Sequence, residues 1–530
     1  MSSNHIPIVA SLVFYTSGGI IFEPMKTTNE KIGQLIYQIR QERGLTQAAF
    51  ARKLGTSQSA VNRIEHGHQN LSLETLGRIS DVLNKPIISL SSGAVNLRVE
   101  GGHELHGTIE TKTSKNAAVC LLMASLLNKG TTRLKHMPRI EEVNRLIEVL
   151  VSIGVHVRWL AGNDLEIKPP AVLDLDKIDA AAARKTRSVL MLLGPLMHMF
   201  KEFKIPYAGG CKLGTRTVQP HLFALEELGV DIVAKAGYYN VMVKKHPAKQ
   251  IVLYESGDTT TENVLMAAAK FEEEIVIKMA SANYMVQDLC CFLKKLGVKI
   301  EGVGTSTLTV KGVKDIKKNV TYHPSEDPIE AMTFIAAAVT TNSKISITRA
   351  PIEFLELELL KLKKMNLKFD VTPYYKAENG FTNLADITIH KHDGELVALE
   401  EKIYARPFPG LNIDNLPYFV PICAVAKGRT LIHDWVYEER ALYYTELRKL
   451  NANVTLADPH RAYVDGPTKF SAADIVCPPA LRPAVLLLIG MLAAPGISIL
   501  RNVYSINRGY EDLADRLNSL GAQITIMHDL

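Results

Sequence analysis

Six times along this 530-residue chain, an amphipathic helix-like run stops on a residue suited to the left-handed backbone region and passes directly into a β-rich run. The stops are Ile153-Gly154-Val155, Leu228-Gly229-Val230, Leu296-Gly297-Val298, Met365-Asn366-Leu367, Leu450-Asn451-Ala452 and Leu520-Gly521-Ala522. Gly, and after it Asn, accepts the positive φ that closes a helix. Six copies at roughly 70-residue spacing imply one supersecondary unit used six times. The unit is too long and too rich in strand for a helical solenoid. From Val95 onward the expected class is therefore α/β, built of six βαβ-type repeats.

The segment before Val95 reads differently. From Thr28 to about Leu90 the pattern is helical throughout, with Ile32, Leu35, Ile36 and Ile39 on one apolar face. Gly44-Leu45-Thr46-Gln47 gives a helix stop and then a Thr N-cap for a second helix carrying Ala51 and Leu54. Gly55-Thr56-Ser57-Gln58-Ser59 leads into a third helix through Val61, Ile64 and Glu65. Residues 26–90 hold nine Lys/Arg against five Asp/Glu, much of the chain's net charge of +6, as a nucleic-acid-facing module would. The run TQAAFARKLGTSQSAVNRIEHG resembles the helix-turn-helix of the Cro/repressor-like family. That resemblance implies that Gln58, Ser59, Asn62 and Arg63 face the major groove of double-stranded DNA and that Gln47 meets a backbone phosphate. A helical module kept for protein–protein contact is the open alternative. One such module grips DNA poorly, so a dimer would be needed for a pair of half-sites.

Lys85-Pro86 and Ser91-Ser92-Gly93 mark a linker, placed at 91–94 between a helix-turn-helix domain at 28–90 and the repeats. Residues 1–27 are expected to be a disordered extension or an overextended start, with Met25 as the initiator. The apolar run Ile6–Phe14 has no Lys or Arg before it, which excludes a signal peptide, and it is too short for a membrane span. No other stretch looks membrane-spanning. Six scattered cysteines, without a CxxC pair or a His/Cys cluster, predict neither a metal site nor a disulfide framework and fit a reducing cytoplasm.

The stretch Ala208-Gly209-Gly210-Cys211-Lys212-Leu213-Gly214-Thr215-Arg216 is where chemistry is expected. Its three glycines let backbone N–H groups approach an anion, and Lys212 and Arg216 attract phosphate or carboxylate. Cations and oriented amides lower a thiol's pKa from its free value of about 8.5, so Cys211 is a candidate nucleophile or proton donor. An inert cysteine in a structural turn is the local alternative. Thr215-Arg216 stands where a P-loop requires Lys-Ser/Thr, which excludes that motif.

Six repeats together with this loop resemble the enolpyruvyl transferases from about Val95 to Leu530. The matching motifs are TKTSKNAAV (Thr111 to Val119), KTRSVLMLLGP (Lys185 to Pro195), AGGCKLGTR, EDPIEAMTF (Glu326 to Phe334), WVYEER (Trp435 to Arg440) and INRGYEDL (Ile506 to Leu513). The branch acting on shikimate 3-phosphate lacks the cysteine loop and usually has Ser-Lys-Ser where this chain has Ser114-Lys115-Asn116. The resemblance therefore favours the sugar-nucleotide branch, the UDP-N-acetylglucosamine 1-carboxyvinyltransferases of peptidoglycan synthesis. It implies a two-domain inverse α/β barrel, residues 114–325 forming one domain and residues 95–113 with 326–530 the other, preceded by the small all-α helix-turn-helix domain. Substrates would lie in the cleft between the two.

The implied reaction moves enolpyruvyl from phosphoenolpyruvate to the sugar 3-hydroxyl of UDP-N-acetylglucosamine, with no cofactor. It needs a proton for the methylene carbon, a base at the hydroxyl, and cations for phosphate and carboxylate. By resemblance Cys211 is the proton donor and the thiol alkylated by fosfomycin. Lys115, Arg216 and Arg508 hold phosphoenolpyruvate, with Arg440 close by, and Asp414 is the favoured base. Asn116, Arg187, His221 and Val436 match positions holding the sugar nucleotide, and Asp327 and Arg482 match other cleft residues. Tyr510 and Glu511 read as structural. Three departures stand out: Ala480 replaces an aspartate thought to assist proton transfer, Gln219 stands where the family often has Asp, and Glu255-Ser256-Gly257 occupies the neighbourhood of a diphosphate-binding lysine. Two other readings stay open: a DNA-binding regulator whose transferase body senses a cell-wall precursor, and a transferase with another acceptor.

Overall fold

The computed structural model describes residues 32–83 except Gln34, Leu35, Gln38, Glu42, Gly44, Asn70 and Ser72, together with residues 95–209, 217–244 and 247–528. The N-terminal extension, Leu35, Gly44, the linker 91–94, and the loop 210–216 with Cys211 and Arg216 lie outside the described residues. The chain divides into two units, Met1–Gly93 and Ala94–Leu530.

In the first unit the capping signals work as read. Thr46 accepts the Ala49 N–H at the start of helix Gln47–Leu54, and Gly55 closes that helix at φ 70. Ser57 accepts the Ala60 N–H and starts helix Gln58–Glu65. Ile36, Ile39, Phe50, Leu54, Val61, Ile64, Ile79 and Leu83 form its core. Inside it, Arg40 forks onto the Glu65 carboxylate, an ion pair almost wholly out of water. Gln58, Ser59, Asn62 and Arg63 are all exposed on the third helix, whereas Gln47 is half-buried and donates to Glu65 at 2.9 Å.

In the second unit all six predicted stops take positive φ: Gly154 at 95, Gly229 at 82, Gly297 at 104, Asn366 at 75, Asn451 at 71 and Gly521 at 96. Each feeds a strand at one end of a different sheet, His156–Trp159, Val230–Lys235, Lys299–Glu301, Phe369–Val371, Asn453–Asp458 and Gln523–His528 in turn. A residue in the left-handed region turns the chain back along the helix it has left, which is why one short signal recurs wherever a helix gives way to a sheet edge.

The sheets alternate buried and solvent-facing residues, as in Glu274–Lys278 and Thr307–Lys311. The helices beneath them do not alternate. Every residue of Pro328–Thr340 is buried, as is Ala117–Ala124 within helix Lys115–Ala124. Helices apolar on all sides belong inside, with sheets as the outer layer. Two separate cores result. One gathers residues between Ala117 and Tyr322 plus Phe354, and the other gathers Leu97–Ile109 with residues between Ile329 and Ile524.

The chain passes between these cores twice, and the two passes pair. Ser114 donates its N–H to Ser325 at 2.8 Å, Asp327 to Lys112 at 2.9 Å, and Thr113 faces Glu326 in an isolated antiparallel bridge. Each pass opens directly into a buried helix. Ser114 caps helix Lys115–Ala124 and Asp327 caps helix Pro328–Thr340, so Lys115 is fixed at the junction of the two halves.

Candidate active site

A cleft of about 620 Å³ opens at that junction, with walls from both cores. Of the residues singled out in the body's sequence, Lys115, Asn116, Arg187, His221, Asp414, Val436, Arg440, Arg482 and Arg508 all line it. Asp327 does not. It lies behind the cleft in a small recess with Lys112, Lys115 and Tyr510, because its carboxylate is used to cap its helix through the Ile329 N–H.

The cationic side is organised by a residue that the sequence reading missed. Glu142, in the first turn of helix Glu141–Ser152, receives the Lys115 ammonium at 2.7 Å, Ser188 Oγ at 2.8 Å and Thr186 Oγ1 at 3.2 Å. Burial works to raise its carboxyl, but the charges of Lys115 and Arg508, with the Lys115 and Ser188 hydrogen bonds, bring it down to about 2. In sequence, Glu141-Glu142 reads only as a helix start with acids suited to the dipole. On the same wall Arg508 keeps its Nε buried and, among the described residues, without a hydrogen-bond partner. A buried, unspent guanidinium donor is costly unless an anion completes it. Gly509 follows because a Cβ there would lie 2.3 Å from Leu481 and 3.3 Å from the Lys115 side chain.

The opposite wall carries Asp414. Arg482 reaches its carboxylate at 3.2 Å and Arg440 at 3.9 Å. Burial again works upward, and Arg482, Arg440 and Lys115 outweigh it, holding Asp414 below the ordinary aspartate range. Arg440 is mostly occupied elsewhere: it forks onto the fully buried Asp434 and donates to the Ile413 carbonyl at 2.8 Å. Arg482 is positioned by Tyr510, whose hydroxyl accepts from its Nη1 at 2.8 Å and meets Thr333 Oγ1 at 2.7 Å and the Tyr418 hydroxyl. Tyr510, read as structural, holds a cleft arginine.

Further along, His221 is buried and touches Thr259 and Asn263, each at 3.4 Å. Two more acids line this end, Glu262 and Asp258, the second missed by the sequence reading. Burial raises the Asp258 carboxyl, against hydrogen bonds from Ser281 at 2.5 Å and Asn283 at 3.2 Å. Burial and the nearby Asp258 push the Glu262 carboxyl well above the usual range. Ala480 is fully buried at the start of helix Leu481–Ala493 and supplies no carboxylate. Gln219 is exposed and absent from the cleft wall.

Both flanks of the cysteine loop reach this cleft. Gly209 donates to the Thr186 carbonyl at 3.3 Å, and an added Cβ there would collide with the Arg184 carbonyl at 1.5 Å. On the other side Thr217 lines the cleft and accepts from Arg187 Nη2 at 2.6 Å. Chemically the cleft can hold an anion with two negative groups and orient a hydroxyl against Asp414.

Residues 99–517 match the EPSP synthase (3-phosphoshikimate 1-carboxyvinyltransferase) family, and residues 36–90 match the helix-turn-helix family. The UDP-N-acetylglucosamine 1-carboxyvinyltransferase of Treponema denticola is 32% identical over 430 residues, covering 81% of this chain and 98% of that protein. The enzyme of that name from Bradyrhizobium diazoefficiens is 31% identical, covering 80% and 96%. Among solved structures, the enolpyruvyl transferase NikO from Streptomyces tendae superposes with a TM-score of 0.71 at 23% identity, covering 83% of this chain and all of that one. EPSP synthase from Acinetobacter baumannii does so at 0.63 and 17%, covering 82% and all of that chain. At such identities the structural likeness speaks for the fold.

Proposed function

The chain belongs to the enolpyruvyl transferases, in their UDP-N-acetylglucosamine 1-carboxyvinyltransferase branch, and from that premise we propose how its cleft performs the transfer. It moves the enolpyruvyl group of phosphoenolpyruvate to the 3-hydroxyl of UDP-N-acetylglucosamine and releases phosphate, the first committed step of peptidoglycan synthesis. The observation that carries this reading is the convergence, in one cleft between two cores, of Lys115, Arg508, Arg482 and Arg440 with Asp414.

The sugar oxygen attacks the carbon bearing the phosphate while a proton adds to the methylene carbon and makes it a methyl group, and loss of phosphate with one methyl proton restores the double bond. Asp414 accepts the hydroxyl proton, and its carboxylate stays ionised between Arg482 and Arg440, ready to do so. Arg508, with its unspent Nε, and Lys115 receive the phosphate and carboxylate. Cys211 and Arg216 act from the loop whose two flanks stand at the rim. Asn116, Arg187, His221 and Val436 hold the sugar nucleotide. In this reading residues 114–325 form one domain and residues 95–113 with 326–530 the other, each of three repeats in an inverse α/β barrel, with substrates between them.

Phosphate release from phosphoenolpyruvate, measured with UDP-N-acetylglucosamine for the wild type and Cys211→Ala, tests the assignment. Release by the wild type alone supports it. Binding without release would favour the precursor-sensing regulator, and release only with another sugar nucleotide would favour a different acceptor.

For the first unit we propose double-stranded DNA as partner, on the exposed row of Gln58, Ser59, Asn62 and Arg63. Gln47 reaches a phosphate only by leaving Glu65. A fragment of residues 26–90 should shift random duplex DNA in a salt-dependent manner. No shift at low salt would point to a protein-contact module.

A further inference from the structure

Away from the cleft, three metal-ligating side chains converge among the described residues. His136, His323 and Glu378 place one ligand atom each within 4.8 Å of the others, and none of the three lines the cleft. The fold brings them together from 187 and 55 residues apart in sequence. Strands Thr132–Leu134 and Val320–Tyr322 run parallel with Tyr322 opposite Leu134. The chain therefore leaves both strands at the same end and sets the two imidazoles side by side, ring centroids 6.0 Å apart.

His136 adopts φ 50, pinned by Asp164, which accepts its N–H at 3.2 Å. A non-glycine residue in that region costs energy and persists only where its surroundings impose it. Glu378 comes from the other half of the body, in the turn between Tyr375–Lys376 and Asn383–Ile389. Asn379 fixes this turn by accepting the N–H groups of Phe381 and Thr382 at 3.1 Å each. The cluster thus sits where the second chain crossing, Tyr322 to Asp327, leaves one core for the other.

His323 Nδ1 lies 2.6 Å from the Glu378 carboxylate. It is nevertheless buried and makes no hydrogen bond. The pair is close without meeting hydrogen-bond geometry. Two imidazoles and a carboxylate are the donor set of Zn²⁺-like ions, with metal–ligand distances of about 2.0–2.2 Å. Tetrahedral geometry then separates ligand atoms by about 3.4 Å, so the His323–Glu378 pair opens from 2.6 Å while the widest pair, within 4.8 Å, closes by up to about 1.4 Å. Neighbouring cations are already engaged: Lys135 pairs with Asp164, Arg349 with Glu326, and Lys295 lies 5.2 Å over the Tyr322 ring.

We propose that His136, His323 and Glu378 bind one divalent transition-metal ion of the Zn²⁺ class, with water completing the shell, and that this ion fastens the two halves of the body at their crossing. The test is titration of the chelator-treated full chain with Co²⁺, followed by visible absorption. The expected result is a d–d band that saturates at one equivalent and is bleached by Zn²⁺. Loss of a ligand should weaken Co²⁺ binding by at least about tenfold in His323→Ala, His136→Ala and Glu378→Gln, with no change in His66→Ala, a control in the other unit. His136 and Glu378 are exposed, so their variants report even if His323→Ala fails to fold. Absence of the band, or a band unchanged in His136→Ala and Glu378→Gln, would overturn the proposal.

Discussion

The Lys115 ammonium stands 2.7 Å from the Glu142 carboxylate, with both side chains largely shielded from water. This pair keeps a buried cation neutralised until a substrate anion competes for it. Removing one partner strands the other. Lys115→Ala should lose activity by more than about 10²-fold and cost about 3 kcal/mol, because an unpaired buried charge is left behind. Lys115→Ala with Glu142→Gln should regain most of that stability in chemical denaturation and none of the activity. If the double variant is no more stable than the single one, the pair is not the unit described.

The same carboxylate sets an acid limb of stability. Its folded pKa, about 2, lies below the ordinary glutamate value of about 4.3, so the unfolded chain binds the proton more readily. The stabilisation is present above that ordinary value and is lost as pH falls towards 2. Half-buried His198, brought down to about 4 by desolvation, acts in the same direction but over a higher window, from about 6.5 downward. Denaturation midpoints against pH should therefore lose their lower step in Glu142→Gln and their upper step in His198→Phe.

Fosfomycin should inactivate the enzyme through a single adduct on Cys211. The other five cysteines are poor nucleophiles: burial pushes Cys120 and Cys290 far up, Cys423 and Cys477 to about 12, and the half-buried Cys291 to about 11. Only a thiolate attacks efficiently. Peptide mass mapping that places the adduct elsewhere, or full activity in its presence, would contradict the assignment.

Asp414→Asn should lower kcat by about 10²–10⁴-fold, the usual contribution of a positioned base, with little change in sugar-nucleotide affinity. Because Arg482 and Arg440 hold this carboxyl below the ordinary aspartate range, the acidic fall of kcat/KM attributable to it should lie below about pH 3.9. A fall centred near neutrality would assign the base to another group.

What the sequence determined by itself is whatever physics acts within a turn. Gly154, Gly229, Gly297, Asn366, Asn451 and Gly521 announce their positive φ because a side chain without Cβ, or a short polar one, is the local solution to ending a helix. Thr46 announces a helix start by the same logic. The separated motifs carried Lys115 and Arg508, the family resemblance added Asp414, and all three meet in the cleft. Asp327 was legible as a special residue but not as a cap lying behind the cleft, since a carboxylate before a proline-led helix serves either purpose.

Tertiary structure alone decided the rest. Glu142 sits 27 residues from Lys115, at the head of a helix that looks ordinary until the fold buries it. Asp258 and Glu262 differ from surface acids only through what covers them. His136, His323 and Glu378 share no spacing that a metal-ligand pattern would recognise, and they meet because two parallel strands end together beside a turn from the other half. Desolvation and the pairing of charges depend on distance through space, and that distance is fixed only when the two halves close around the chain's double crossing.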